Sequence, residues 1–298
     1  MPKRRGEVKR CAVLRPAAAA ALPAAGHGAY IRAMTTFLTT PQGRHIAHHR
    51  IEGRGPGVVF LGGFRSDMTG TKAMALQAWA EARGQAFLRF DYSGHGASHG
   101  AFADGAISDW REDAAAVVEA LTSGPQVLVG SSMGGWIALL LARAMPQRVA
   151  GLVGIAAAPD FTETLWNDGL TTAERTALLK DGLVLRPSEH SDAPYPITRR
   201  LIEDGRQNLV LASPLVLAMP VRLLQGTADR DVPMQVALGL VDHIASPDLQ
   251  LTLVKHADHR LSSPLGLRLM LGAVEDVVRS IRSGPDEIEQ SGGLGLMA

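Results

Sequence analysis

Residues 127–136 read Val-Leu-Val-Gly-Ser-Ser-Met-Gly-Gly-Trp, and no other stretch restricts the fold as strongly. A β-branched run ends at Gly130, and an apolar pattern of helical period begins at Met133. Ser132 stands between them at the centre of Gly-x-Ser-x-Gly. A strand that turns into a helix this abruptly leaves room only for small side chains and holds the serine hydroxyl clear of the backbone. It also aims the unpaired N–H groups of the helix N-terminus at the space before that hydroxyl.

The pattern alone carries little weight, because chance yields roughly 0.2 matches in a chain of this composition. A second match, Gly96-Ala-Ser98-His-Gly100, lies in a glycine-rich stretch, with no helical pattern until about Ile107. Ser98 therefore reads as a loop residue and Ser132 as the candidate nucleophile, since only Ser132 has the strand–turn–helix context.

The surrounding sequence alternates short apolar runs with helical periods. Strands are expected at Val58–Leu61, Ala86–Phe90, Val127–Val129, Val149–Ile155, Val221–Leu224 and Leu249–Val254. Helices are expected at Lys72–Arg83, Ile107–Leu121 (with Ser108 as its cap), Met133–Ala144, Pro233–His243 and Leu265–Arg282. This spacing gives βαβ units, hence an α/β fold with a mostly parallel sheet and helices on both faces. Residues 160–214 break the alternation with helical pieces at Thr172–Lys180 and Thr198–Gly205 and loops around Pro187, Pro194 and Pro196. They read as a small lid inserted between two core strands. Ligands of open α/β sheets bind at the carboxyl ends of the strands, where such an insertion can cover them.

A serine hydroxyl needs a base within hydrogen-bond reach, and the base needs an orienting acid. In this architecture both follow the nucleophile, acid first, in loops after later strands. The loop after Val221–Leu224 offers Asp229, with Asp231 as the alternative or as a helix cap. The loop after the last strand offers His259, with His256 nearly still on the strand; Asp258 then fixes the loop conformation. The oxyanion donors are the N–H of Met133, after the nucleophile, and that of Phe64, reached through Gly62-Gly63. Lid residues Leu165, Trp166 and Leu170 are candidates for an acyl-chain pocket; their plainer role is to pack the lid on the core. His48 and His49 read as part of an edge strand, and His95 and His99 as loop residues. No His-Glu-x-x-His or Cys/His spacing suggests a metal, and the scheme needs no cofactor.

Four blocks carry a resemblance to a known family: Gly62-Gly-Phe-Arg-Ser-Asp-Met-Thr-Gly-Thr-Lys72, Arg89-Phe-Asp-Tyr-Ser-Gly-His-Gly-Ala-Ser98, Val129-Gly-Ser-Ser-Met-Gly-Gly-Trp136 and Lys255-His-Ala-Asp-His-Arg260. The chain resembles the α/β-hydrolase superfamily and, within it, the mitochondrial acyl-protein thioesterases of the α/β-hydrolase-domain group, from about Thr40 to Arg282. The resemblance implies an α/β-hydrolase fold. It also implies serine hydrolysis of esters or thioesters, S-acylated protein among them, with Ser132, Asp229 and His259 as the triad. An acyltransferase on the same fold would carry the same residues and differ in excluding water; a binding protein on it would usually lack a triad member.

Composition narrows the setting. Net charge is +1, which gives no footprint for nucleic acid, and no run of 18 apolar residues suggests a membrane span. The single cysteine, Cys11, forms no intrachain disulfide. Arginine outnumbers lysine 25 to 5, as in a GC-rich bacterial gene, and one cysteine is consistent with a reducing compartment, so the expected setting is a bacterial cytoplasm. Residues 1–33 are Arg-rich and contain no serine. Residues 1–35 are expected to be a disordered or non-native extension, a mitochondrial transit peptide being the alternative. The hydrolase domain is expected over 36–283, with a disordered tail over 284–298. Acyl length, leaving group and oligomeric state leave no mark in the sequence.

Overall fold

The structure, a computed structural model, describes residues 35–188 and 191–283. The expectations for residues 1–34 and 284–298 lie outside the described residues. In chain order the strands are β1 (Thr36–Thr39), β2 (His45–Ile51), β3 (Arg54–Leu61), β4 (Gln85–Phe90), β5 (Gln126–Ser131), β6 (Val149–Ile155), β7 (Leu183–Ser188), β8 (Ser191–Thr198), β9 (Leu215–Val216), β10 (Val221–Gly226), β11 (Ile244–Ala245) and β12 (Leu249–Val254). Eight of them form the main sheet in the order β1-β2-β4-β3-β5-β6-β10-β12. The pairs β1–β2 and β2–β4 are antiparallel, and every other pairing in this sheet is parallel.

The parallel part follows from composition. Strand β5 is buried at all six positions and β3 over its last five, as strands covered on both faces must be. The covering helices are α1 (Thr71–Arg83), α2 (Ile107–Leu121), α3 (Met133–Ala144), α4 (Phe161–Thr164), α5 (Thr172–Asp181), α6 (Arg199–Gly205), α7 (Met234–His243) and α8 (Pro264–Ser283). On one face Trp110 of α2, Trp136 of α3 and Leu240 of α7 pack over Leu61, Leu128 and Leu152. On the other, Leu76 and Trp79 of α1 and Met270, Val274 and Val277 of α8 pack over Val58, Val127 and Val153.

The expected helices and core strands form close to their expected bounds; four details differ. First, β1 pairs along one edge of β2, so His48 and His49 lie on an interior strand. Second, the proline-bearing part of the lid is the antiparallel hairpin β7–β8, with Leu185 opposite Pro196. A two-stranded ribbon has free edges on both sides, so residues without an N–H are tolerated there. Third, Ser108 lies inside α2. The carboxylate of Asp109 reaches back one turn to accept the Ala106 N–H at 2.9 Å, satisfying an orphan donor from within the helix. Fourth, Pro233, not Asp231, occupies the N-cap of α7, with no side-chain cap bond.

Segment 160–214 is fastened to the domain at several points. Leu170, Leu178, Val184, Ile197, Leu201 and Ile202 join the core that α2 and α3 build. Asp204 accepts the Ser108 N–H at 2.8 Å, and Asn208 accepts the Trp136 indole N–H on its carbonyl at 3.0 Å. The Asp160 carboxylate accepts the N–H groups of Val210 and Leu211, closing the insertion near its base. Among the described residues, no helix is long and apolar enough to cross a membrane.

Candidate active site

All the parallel strands end on the same edge of the sheet, and four strand ends supply the site: β3, β5, β10 and β12. Ser132 follows β5 and caps α3 with φ 55° and ψ −119°, backbone values rarely adopted by a residue with a side chain. Three contacts hold it there. Its N–H donates to Ile155 at 2.9 Å, and its carbonyl accepts from Gly135 and Ala158. The neighbouring glycines are forced by crowding. A Cβ on Gly130 would lie 2.3 Å from the Gly134 carbonyl oxygen, and one on Gly134 would lie 2.1 Å from that of Leu61. The turn survives its strain because its surroundings leave it no alternative.

The chain brings His259 back from 127 residues away, with Nε2 at 3.1 Å from the Ser132 hydroxyl. Its Nδ1 lies 2.9 Å from Oδ2 of Asp229. His256 enters the arrangement through its backbone, whose N–H donates to the Thr227 hydroxyl at 2.9 Å. Asp258 accepts the Leu261 N–H, shaping the loop as expected. Ser98 accepts the Ala47 N–H and donates to the Asp91 carbonyl, a loop residue stitched to β2.

The Asp229 side chain is sealed from solvent. Its second oxygen, Oδ1, accepts the N–H groups of Asp231 and Val232, both at 2.9 Å. Gln225 adds an N–H to Oδ2 at 2.9 Å. Burial pushes the carboxyl up, but the His259 and Val232 donors outweigh it and hold Asp229 below the usual carboxylate range. Asp229, Asp231 and His259 also offer ligand atoms within 4.8 Å of one another. For Asp229 those oxygens already carry four protein donors. Asp231 thus supplies a backbone N–H to the arrangement, and its carboxylate is not the one on His259.

The candidate oxyanion donors flank the serine. Met133 opens α3, and an N–H in the first helical turn has no intrahelical acceptor. The Gly62-Gly63 bend runs so close that a Cβ on Gly63 would lie 3.4 Å from Ser132 Cβ, and Phe64 follows directly. The Phe64 ring meets Phe102, Phe161 and Tyr195 edge-on at 4.9, 5.6 and 6.2 Å, so α4 and the β7–β8 hairpin both reach the loop that carries Phe64. Of the three lid candidates, Leu170 is buried in the core, whereas Leu165 and Trp166 pack half-buried against it. The Arg206 guanidinium lies 5.1 Å over the Trp166 ring.

Sequence reasoning missed three supports. Gln225 stands just past the expected strand Val221–Leu224 with no role read from sequence, yet it lies on β10 and its buried amide donates to Asp229 and to the Val232 carbonyl; a glutamine directly after a buried apolar run was the available signal. Thr227 holds the histidine loop. Asp91, in the Arg-Phe-Asp-Tyr block, accepts the N–H groups of Met68 at 2.6 Å and Ala97 at 2.8 Å, tying two loops beside the site. Burial raises its carboxyl to about 6.

Comparison with known proteins agrees with this architecture. Residues 57–191 match the family model described as serine aminopeptidase, S33. The chain is 35% identical over 243 residues to a rat (Rattus norvegicus) protein named palmitoyl-protein thioesterase ABHD10, mitochondrial, covering 82% of each. A crystal structure from Agrobacterium vitis S4, named as a hydrolase, superimposes with a TM-score of 0.79 at 46% identity, covering 82% of this chain and 98% of that one. The mouse α/β hydrolase domain-containing protein 10 superimposes with a TM-score of 0.76 at 35% identity, again over 82% and 98%. Identity and superposition of this extent make the chain a hydrolase of the α/β-hydrolase family to which the ABHD10 proteins belong.

Proposed function

We propose that the chain is a serine esterase or thioesterase that works through an acyl-enzyme. The observation that carries the reading is the relay of 3.1 Å from Ser132 to His259 and 2.9 Å from His259 to Asp229. In this role His259 donates its Nδ1–H to Asp229 and offers its Nε2 lone pair to Ser132. Nε2 takes the Ser132 proton as Oγ attacks the acyl carbonyl. The Phe64 and Met133 N–H groups receive the oxyanion, and loss of one such donor costs ~3 kcal/mol of barrier lowering. The imidazolium, stabilised by the ionised Asp229, then protonates the departing alcohol or thiol. Water, deprotonated by the same Nε2, attacks the acyl-serine, and collapse releases the acid and restores Ser132.

Acyl thioesters, S-acylated protein included, are the substrate class this reading favours. Support comes from the likeness to enzymes named palmitoyl-protein thioesterases and from the apolar surroundings of Phe64, Phe161 and Tyr195 beside the serine. Leu165 and Trp166 are the lid side chains we assign to the acyl chain, with Leu170 supporting them from the core. The test is a panel of p-nitrophenyl esters and S-acyl peptide thioesters of graded chain length. Turnover of both, rising with length, is expected. Turnover no faster than that of Ser132→Ala on every member would overturn the reading.

A further inference from the structure

Lys72 is placed where a lysine is costly. It sits in the first turn of α1, a turn with no acidic residue, and a cation near a helix N-terminus opposes the helix dipole. It is half-buried, and no carboxylate lies within ion-pair distance of it among the described residues. The charged groups around it are Arg260 and Asp258. Desolvation and the Arg260 charge lower its ammonium to about 8, against a smaller opposing effect of Asp258. What it gains is one hydrogen bond: Nζ donates at 2.6 Å to the backbone carbonyl of Arg260, the residue after His259.

That carbonyl belongs to a strained loop. His256 and Leu261 bracket His259, and both take positive φ, 61° and 49°, without being glycine. Such backbone persists only where its surroundings hold it. Two clamps are local to the strand ends, namely the Thr227 hydroxyl on His256 N–H and the Asp258 carboxylate on Leu261 N–H. Lys72 is different. It reaches across 188 residues, from the helix entered directly after the Gly62–Gly70 loop that carries Phe64.

We infer that Lys72 is a positioning residue, which clamps the loop bearing the general base to the helix that follows the oxyanion loop and so sets the distance from His259 to Ser132. The inference deepens the hydrolase reading above and rests on it. Asp258 and Arg260, on the same loop, are the charged neighbours that tune the clamp, and the Ser262 hydroxyl shares the Arg260 carbonyl at 3.1 Å.

The experiment compares wild type with Lys72→Met, which removes the donor, and Lys72→Gln, which keeps a neutral one. Three readouts are taken: kcat and KM on a short p-nitrophenyl ester, the rate of labelling by a fluorophosphonate, and the downfield 1H NMR resonance of the His259 Nδ1–H. A misplacement of the base by an ångström costs ~100-fold, so Lys72→Met should lower kcat by about that factor while KM changes little. Labelling should slow in parallel, the Nδ1–H resonance should shift or broaden, and Lys72→Gln should recover part of each. A folded Lys72→Met protein with wild-type kcat, labelling rate and resonance would overturn the inference. So would a loss that appears in KM alone. If Lys72→Met fails to fold, Lys72→Gln decides by the same three readouts. A wild-type protein that neither turns over ester nor takes the label sinks the hydrolase reading instead, and the resonance of the variants still decides whether Lys72 positions His259.

Discussion

Asp229 and Asp231 are two residues apart, yet they have opposite relations to the base. One carboxylate meets His259 Nδ1, whereas the other residue contributes a backbone N–H to the first carboxylate. Replacing Asp229 by Asn puts an amide where the acceptor stood and favours the wrong imidazole tautomer, which in such a relay costs ~10⁴-fold in turnover. Asp231→Asn keeps the backbone donor and should cost less than about 10-fold on the same scale of effects. The histidines divide likewise. His259→Ala should lose on the order of 10⁴-fold or more, and His256→Ala far less, measured as kcat on one p-nitrophenyl ester. Equal losses within either pair would mean that the relay runs through the other residue. The lowered pKa of Asp229 fixes a sign as well. Its contribution to stability is present above the ordinary aspartate value of 3.8 and is lost as pH falls through the lower folded value.

At the scale of elements, what was legible in the sequence was whatever depends on local pattern. Met133–Ala144 and Val149–Ile155 run between their expected bounds because each is a buried apolar run that stops at a turn, and Leu249–Val254 does so because its apolar residues alternate with Gln250 and Thr252, as on a half-exposed edge strand. The relay was legible because each member sits just past a strand of either kind. The missed features depend on partners distant in sequence. Nothing in Thr36–Thr39 says that it pairs with β2, and three prolines in the lid hide a hairpin whose free edges tolerate them. Gln225, Thr227 and Lys72 acquire their roles only when the loops meet. The lid remains the element that should govern chain length. A methylene buried against it is worth up to ~0.8 kcal/mol. Trp166→Ala should therefore shift the preferred acyl length and leave acetyl esters nearly unchanged. An equal slowing of acetyl and long-chain esters would show that Trp166 supports the fold or the relay. The elbow itself should tolerate no Cβ. Gly134→Ala drives a methyl toward the Leu61 carbonyl, so its thermal midpoint should fall by several degrees, given that overpacking typically costs about 1–3 kcal/mol.

Across the whole molecule, the sheet fixes the site by bringing four strand ends to one edge, and buried polar groups fix the loops between them. Asp91 is the clearest of these, buried between the Met68 and Ala97 N–H groups. Its carboxyl is raised to about 6, so the unfolded chain releases this proton at lower pH than the fold does. The contribution of Asp91 to stability is therefore full below the ordinary value of 3.8 and declines as pH rises toward 6. Asp91→Asn removes that ionisation. Relative to wild type, the variant should gain about 2–3 kcal/mol of unfolding free energy between pH 4 and pH 7. Urea melts at the two pH values read this directly, and a difference that does not change with pH would contradict it.

The proposed chemistry stands or falls on acylation of Ser132. Rapid acid quenching of the protein during turnover of a p-nitrophenyl ester, followed by intact mass and peptide mapping, tests it most directly. The expected result is an adduct of one acyl mass on the peptide containing Ser132, absent from Ser132→Ala, which should turn over no ester and take no fluorophosphonate. An adduct on Ser98, or undiminished turnover by Ser132→Ala, would contradict it.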